Sequence, residues 1–266
     1  MNNSNISTRT VLITGASTGI GYELCKLFAG DKYNLVIVSR NEETLRKVAK
    51  ELTEQYRVSV VCIAKDLSSP FTPQEIYDEI LRQNINIDVL VNNAGFTTFG
   101  NFVDTDLRLT EEMIGVNISA LTRLTKLFLG DMVKRGSGKI LNVASTAAFQ
   151  AGPLMAAYYA SKAYVLHFSE ALAFELRGTG VSVTTLCPGP TRTQFEKRAN
   201  ISDSGLFKSP NVMDAKTVAK IGYRGLMKGR TIVIAGAINK FMAFIVRLVP
   251  RSAVEQIVLF LNRKRA

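Results

Sequence analysis

The sequence predicts an α/β domain in which a mostly parallel, seven-stranded sheet carries helices on both faces. Three observations lead there. Seven apolar, β-rich runs recur along the chain. Stretches with helical periodicity separate them. The 266 residues, 47% of them hydrophobic, suit one large domain with ample core. Strand and helix in alternation favour a parallel sheet, because each crossover returns the chain to the end from which it started.

The first run, 10–14, enters a glycine-rich turn and then a helical stretch from Tyr22 to Phe28. A second run covers 35–39. The helix predicted at 44–56 places Leu45, Val48, Ala49 and Leu52 on one face and Arg46, Lys47, Lys50 and Glu51 on another. Further runs fall at 58–64, 89–91, 139–143, 181–186 and 231–234. The polar stretch 190–211 breaks the alternation and is expected to be a long functional loop. No repeat, low-complexity tract or linker appears, so residues 1–240 are expected to form one domain. Residues 241–266 then form a basic, apolar C-terminal segment rather than a second domain.

The net charge of +11 comes from 33 basic and 22 acidic side chains. Such an excess suits nucleic acid, an anionic surface or a phosphorylated ligand. No nucleic-acid recognition motif or arginine-rich arm appears, and the cations are spread through amphipathic stretches, so a solvated basic surface is favoured and nucleic acid is not expected as a partner. Cys25, Cys62 and Cys187 stand far apart in apolar stretches, which reads as reduced core thiols. His167 is the sole histidine, so no metal site is expected. Residues 1–10 are polar and lack a hydrophobic secretory core. A cytoplasmic location follows as the expectation.

The turn after the first run reads Thr14-Gly15-Ala16-Ser17-Thr18-Gly19-Ile20-Gly21. Glycine permits a sharp turn and close approach of backbone to a pyrophosphate, whose charge is favoured at a helix N-terminus. The spacing is one residue longer than the common Gly-x-Gly-x-x-Gly dinucleotide fingerprint. After the second run an acidic residue would accept bonds from the ribose 2′-hydroxyl of NAD. The chain has Val38-Ser39-Arg40 there. A guanidinium suits a 2′-phosphate, so NADP(H) is expected over NAD, by about ten- to a hundredfold if one charge-assisted bond contributes roughly 1.5–3 kcal/mol. The plainer alternative for Arg40 is an exposed surface side chain.

Tyr158 stands four residues before Lys162, and Ser145 closes an apolar run upstream. A phenol, an ammonium and a hydroxyl brought together could pass a proton to a carbonyl oxygen. The same four-residue spacing recurs at Tyr22 and Lys26, which lack a serine at a strand end and read as an ordinary helical pair. Tyr159 and Tyr164 have Ala163 and Phe168 at the fourth position and read as packing residues.

In order along the chain stand the Thr14 to Gly21 turn, Asp66-Leu67, Asn92-Asn93-Ala94-Gly95, Asn117, Ser145, Tyr158 with Lys162, and Pro188-Gly189. This ordered set, spanning about Thr10 to Thr193, resembles the short-chain dehydrogenase/reductase family. The resemblance implies a single Rossmann-type, doubly wound NAD(P)-binding catalytic domain and an Asn117, Ser145, Tyr158, Lys162 tetrad. It assigns Gly15, Ser17, Thr18, Gly19, Ile20 and Gly21 to the cofactor phosphates, Asp66 and Leu67 to the adenine, and Asn93, Ala94 and Gly95 to the floor. Pro188, Gly189, Thr191 and Thr193 then border the nicotinamide.

It also implies that Lys162 holds the nicotinamide ribose and that Asn117 holds a water. Asp66 as a turn cap, Asn92 to Gly95 as a strand-ending turn, Ser145 as a turn serine and Asn117 as a structural asparagine remain open. Tyr158 is the natural proton donor to a carbonyl accepting hydride, Ser145 a polarising donor, and Lys162 a charge that favours phenolate. The expected activity is reduction of a ketone or aldehyde, or its reverse; the alternative is an NADPH-binding regulator or scaffold without turnover.

The family implies a homodimer or homotetramer through the helices bearing Asn117 and Tyr158. From Lys240 on, six basic residues and Glu255 leave +5 beside two apolar runs too short and interrupted for the ~20 residues of a span. That segment is expected either to pack on the protein or to lie on an anionic membrane. The latter would suit an apolar substrate.

Overall fold

A computed structural model of the chain describes residues 9–198, 204–208 and 211–263. The polar N-terminus through residue 8, residues 199–203 and 209–210 of the predicted long loop, and the final basic residues from 264 lie outside the described residues.

In chain order come β1 (Thr10–Thr14), α1 (Gly19–Gly30), β2 (Asn34–Ser39), α2 (Glu42–Tyr56), β3 (Val60–Ala64), α3 (Thr72–Arg82) and β4 (Val89–Asn92). Next are α4 (Leu107–Ile114), a π-helical turn over Gly115–Ala120, α5 (Leu121–Lys134), β5 (Gly138–Val143), α6 (Ala156–Glu175) and β6 (Val181–Cys187). The remainder holds β7 (Thr191–Arg192), α7 (Phe195–Arg198), β8 (Met213–Asp214), α8 (Ala215–Met227), β9 (Ile232–Ile234), α9 (Ala237–Ile245) and α10 (Arg251–Asn262).

Seven strands form one sheet in the order β3-β2-β1-β4-β5-β6-β9, with every pairing parallel. Successive residues of a strand point to opposite faces. Val11, Ile13, Leu35, Ile37 and Val91 therefore pack with Leu24 and Phe28 of α1, Leu45 of α2 and Val218 of α8. Leu12, Val36, Leu90 and Ile140 pack on the other side against Ile76 of α3 and Phe128 of α5. Burial on both faces explains why β1 reads as an unbroken apolar run, with all five residues buried. Full burial of a side chain such as Phe28 or Leu24 contributes about 1.5–3 kcal/mol.

The chain runs outward from β1 through β2 to β3, then returns to lay β4 on the other side of β1. Such a reversal opens a crevice at the carboxyl ends of the strands.

The seven expected runs are the seven strands of this sheet, with small shifts at their ends. The run at 58–64 becomes strand only at Val60, because α2 ends at Arg57 in the left-handed conformation (φ 56°) and the chain is still turning. Helix α2 starts at Glu42 rather than 44, since the Asn41 side chain accepts from Thr44 N at 2.8 Å and caps it. Inside the expected long loop the described residues form α7 and the two-residue strand β7, which pairs with β8 just beyond the loop, all too short to leave a periodic signature.

Candidate active site

A cavity of about 620 Å³ opens at the carboxyl ends of β1 to β6. Its wall includes Gly15, Ser17, Thr18, Gly19 and Ile20 after β1, Arg40 after β2, and Asp66 and Leu67 after β3. Asn93, Ala94 and Gly95 follow from β4, Ser145 from β5, Tyr158 and Lys162 from α6, and Pro188, Gly189, Thr191 and Thr193 from the segment beyond β6. Of the sequence-derived candidates, Gly21 and Asn117 do not line it.

Gly21 acts from behind. A Cβ there would sit 2.3 Å from the Gly15 carbonyl oxygen and 2.5 Å from Asn93 Nδ2. Gly15 and Gly19 have φ of 65° and 61°, which favours glycine. Asn93 fastens the turn, donating from Nδ2 to the carbonyls of Thr14 at 2.9 Å and Gly15 at 3.1 Å. Thr14 Oγ1 accepts from the backbone N–H groups of Asn93 and Ala94. The Asn93 side chain is thus spent on holding the turn, and the cavity floor there is backbone.

Helix α1 has neither a capping side chain nor an acidic residue in its first turn. Asn41, Asp106 and Asp214 cap α2, α4 and α8. The uncapped end of α1 faces the cavity, where its N–H groups and positive dipole end suit a phosphate. Beside it, Ser39 Oγ is buried on the cavity wall without a hydrogen-bond partner among the described residues. Arg40 Nη1 lies 3.9 Å from Asp66 Oδ2, both side chains being largely exposed. Asp66 Oδ1 also accepts from Ser68 N at 2.9 Å, so the turn-capping role is realised as well. An uncapped helix end, an orphaned hydroxyl and an arginine along one wall fit a phosphate-bearing dinucleotide.

The Ser145 hydroxyl accepts from Ala147 N at 3.1 Å, donates to the Pro188 carbonyl at 3.5 Å, and shares the cavity wall with the Tyr158 phenol. Lys162 is buried, with Nζ donating to the Val143 carbonyl at 2.9 Å and lying 5.8 Å from the centre of the Tyr158 ring. Gly95 keeps this corner open: a Cβ there would stand 3.3 Å from Lys162 Nζ and 2.9 Å from Asn117 Oδ1. Asn117 sits in the π-helical turn, accepts from Phe96 N, and donates to Phe96 O and Ser161 Oγ, both at 3.0 Å. Both amide hydrogens and one lone pair of Oδ1 are used, so the side chain clamps the strand-ending segment after β4.

Burial pushes the Tyr158 phenol upward, and the Ser145 hydroxyl nearby only partly opposes it. Burial lowers Lys162 from 10.5 to about 8. Between pH 8 and 10.5 the unfolded chain holds more protons at this lysine than the folded one, so stability rises with pH through that window. Measured against Lys162→Met by urea midpoints, the wild type is expected to gain stability from pH 8 to 10.5; parallel curves would contradict the assignment.

At its other end the cavity is apolar, lined by Phe96, Leu109, Val116, Met155, Tyr159, Phe195, Leu206 and Phe207. Sequence reasoning missed most of this wall, since the residues come from separate elements and share no motif. Tyr159 is held there by Asn262 of α10, which accepts from its hydroxyl at 3.3 Å and donates to the Pro153 carbonyl at 2.8 Å. Tyr22 is bonded to Glu51, and Lys26 to Glu23, away from the cavity. His167 is exposed beside Glu170.

A parallel α/β sheet with an uncapped helix end, a buried tyrosine and lysine and a half-buried serine in one crevice is the arrangement of a nucleotide-cofactor oxidoreductase. The short chain dehydrogenase family model matches residues 9–203, and the chain belongs to that family. It is 33% identical over 259 residues to a very-long-chain 3-oxoacyl-CoA reductase of Anas platyrhynchos, covering 95% of this chain and 80% of that protein. It is 33% identical over 222 residues to the human inactive hydroxysteroid dehydrogenase-like protein 1, covering 80% of this chain and 66% of that protein. Among solved structures, a short-chain dehydrogenase from Sphingobium yanoikuyae in complex with NADPH superimposes with a TM-score of 0.81 at 32% identity, covering 90% and 93% of the two chains.

Proposed function

We propose that this chain is an NADP(H)-dependent reductase of apolar ketones or aldehydes, working in either direction, with Tyr158 as the general acid or base. The observation that carries this reading is Ser145, Tyr158 and Lys162 gathered on one wall of the cavity. When bound, the nicotinamide supplies the hydride. As a carbonyl oxygen gains charge, the Ser145 hydroxyl holds and polarises it, and Tyr158 Oη gives it a proton. Lys162, fixed by Val143 O, would hold the cofactor's ribose and help return a proton to the phenol. The apolar far wall excludes water and favours a substrate with a hydrocarbon body. The similarity to a long-chain 3-oxoacyl-CoA reductase supports the same substrate class.

Arg40 and the orphaned Ser39 hydroxyl support NADP(H) over NAD, as does the likeness to an NADPH-bound relative. Arg40→Ala is expected to weaken NADPH binding by about ten- to a hundredfold while leaving NADH binding nearly unchanged. Titration of cofactor fluorescence with both nucleotides checks this, and an unchanged ratio of affinities would overturn the role of Arg40.

The likeness to a relative named inactive favours a second reading, a nucleotide-binding regulator. The joint presence of Ser145, Tyr158 and Lys162 argues for turnover. Oxidation of NADPH with a panel of aldehydes, diketones, ketoacyl thioesters and ketosteroids, with Tyr158→Phe as the blank, separates the two readings. Exposed Ile114, Val133, Tyr164 and Phe174 on α4, α5 and α6 support self-association into a dimer or tetramer.

A further inference from the structure

On α9, the turn after it and α10, six large apolar side chains, Ile238, Phe241, Met242, Phe244, Leu248 and Ile257, are between 46% and 68% exposed. Soluble surfaces rarely gather so much apolar area without a partner. The cations Lys240, Arg247, Arg251 and Arg263 are exposed in the same stretch, against one acid, Glu255. Apolar anchors interleaved with cations are the pattern of a helix that lies in a lipid headgroup layer.

The platform is fixed rather than dangling. Val254 and Val258 of α10 pack with Met113, Met155, Tyr158 and Tyr159, and Val246 and Val249 join the same cluster. Leu206, on the cavity wall, donates its N–H to the Leu261 carbonyl. Asn262 holds the Pro153 carbonyl, and the next carbonyl, of Leu154, accepts from Gly100 N at 2.9 Å. Gly100 leads into a second segment with exposed Phe102, Val103 and Leu107, followed by Leu109, which is exposed and also lines the cavity. Two exposed apolar segments therefore hang from adjacent residues at the apolar end of the cavity.

We propose that α9, α10 and the segment 102–109 form a docking surface for an anionic lipid bilayer, beside the substrate end of the cavity. A second copy is the rival occupant. A two-fold contact would set this patch against itself, opposing four cations to four cations with Glu255 alone to offset them, whereas anionic headgroups neutralise all four. Delivery of an apolar ketone from the bilayer to the cavity rests on the reductase reading; the docking surface does not.

Co-sedimentation of the full chain with vesicles of phosphatidylcholine, with and without phosphatidylglycerol, tests the proposal without reference to turnover. Binding is expected only where phosphatidylglycerol is present, weakening as salt is raised. Phe241→Ser with Phe244→Ser, and separately Lys240→Glu with Arg247→Glu, are each expected to lower partitioning at least about tenfold while leaving the melting temperature and NADPH affinity unchanged. The proposal fails if the wild type does not bind the anionic vesicles, or if both pairs bind as the wild type does. It also fails if the serine pair changes only the mass seen by light scattering, which would give the patch to a second copy. Loss of turnover with vesicle binding intact would instead count against the reductase reading alone.

Discussion

Tyr158→Phe is expected to leave NADPH binding nearly intact and to lower turnover by at least about a hundredfold. The substitution removes one oxygen. The ring keeps its edge contact with Tyr159, 6.1 Å between centroids, and its tilted contact with Phe195 at 5.6 Å. Ser145 keeps the Ala147 N–H, so no buried hydroxyl is stranded and little stability is lost. What disappears is the proton donor at the cavity wall. Steady-state oxidation of NADPH and direct titration of its binding separate the two effects. A variant with wild-type turnover would sink the role given to Tyr158; a variant that lost cofactor binding as well would show that the phenol is needed to shape the site.

Gly21→Ala is expected to cost about 1–3 kcal/mol of stability or more, and to weaken NADPH binding at least tenfold. The added carbon would overlap the Gly15 carbonyl and the Asn93 amide, and neither can move freely. Gly15 O is backbone in the turn itself, and Asn93 is tied to two carbonyls of that turn. Relief requires the turn to open, which drags the N-terminus of α1 off the cavity. Gly130→Ala in α5 is the control: nothing lies within 4 Å of its new carbon, so about 0.5–1 kcal/mol of gain from helix propensity is expected. Urea midpoints for both variants check the contrast. Equal stabilities would mean that the close approach at Gly21 is not what requires glycine there.

The strand runs and the glycine turn were legible in the sequence because their signals are local. Burial on both faces makes a parallel strand uniformly apolar, and a positive φ calls for glycine within a few residues of the strand end. Tyr158 and Lys162 were legible because one helical turn separates them. The obligations of buried polar groups were not. Asn117 reads as a candidate from the ordered motifs, but its bonds to Phe96 and Ser161 join residues 21 and 44 positions away and leave no local signature. Lys162 reads as a charge beside Tyr158, but its hydrogen bond to Val143 O at the end of a different element leaves no local signature. Ser39 stood in the quoted strand end, but only burial distinguishes its hydroxyl from an ordinary surface serine. Asn262 offers no local clue at all, since its partner Tyr159 lies 103 residues away.

The placement of β1 between β2 and β4 has a consequence for the order in which the molecule assembles. Val11, Leu12 and Ile13 meet β2 about 24 residues onward, at Leu35, Val36 and Ile37, but meet β4 only at Val89, Leu90 and Val91. No pairing in the large sheet is a hairpin, so each strand that joins must first close a loop through a helix. Three strands with α1 and α2 can gather early from nearby chain. The crevice does not exist until β4 arrives on the far side of β1, carrying Asn93 to lock the turn. Distant pairings of this kind slow folding, and in this chain one of them, β1 with β4, is also the contact that the crevice requires.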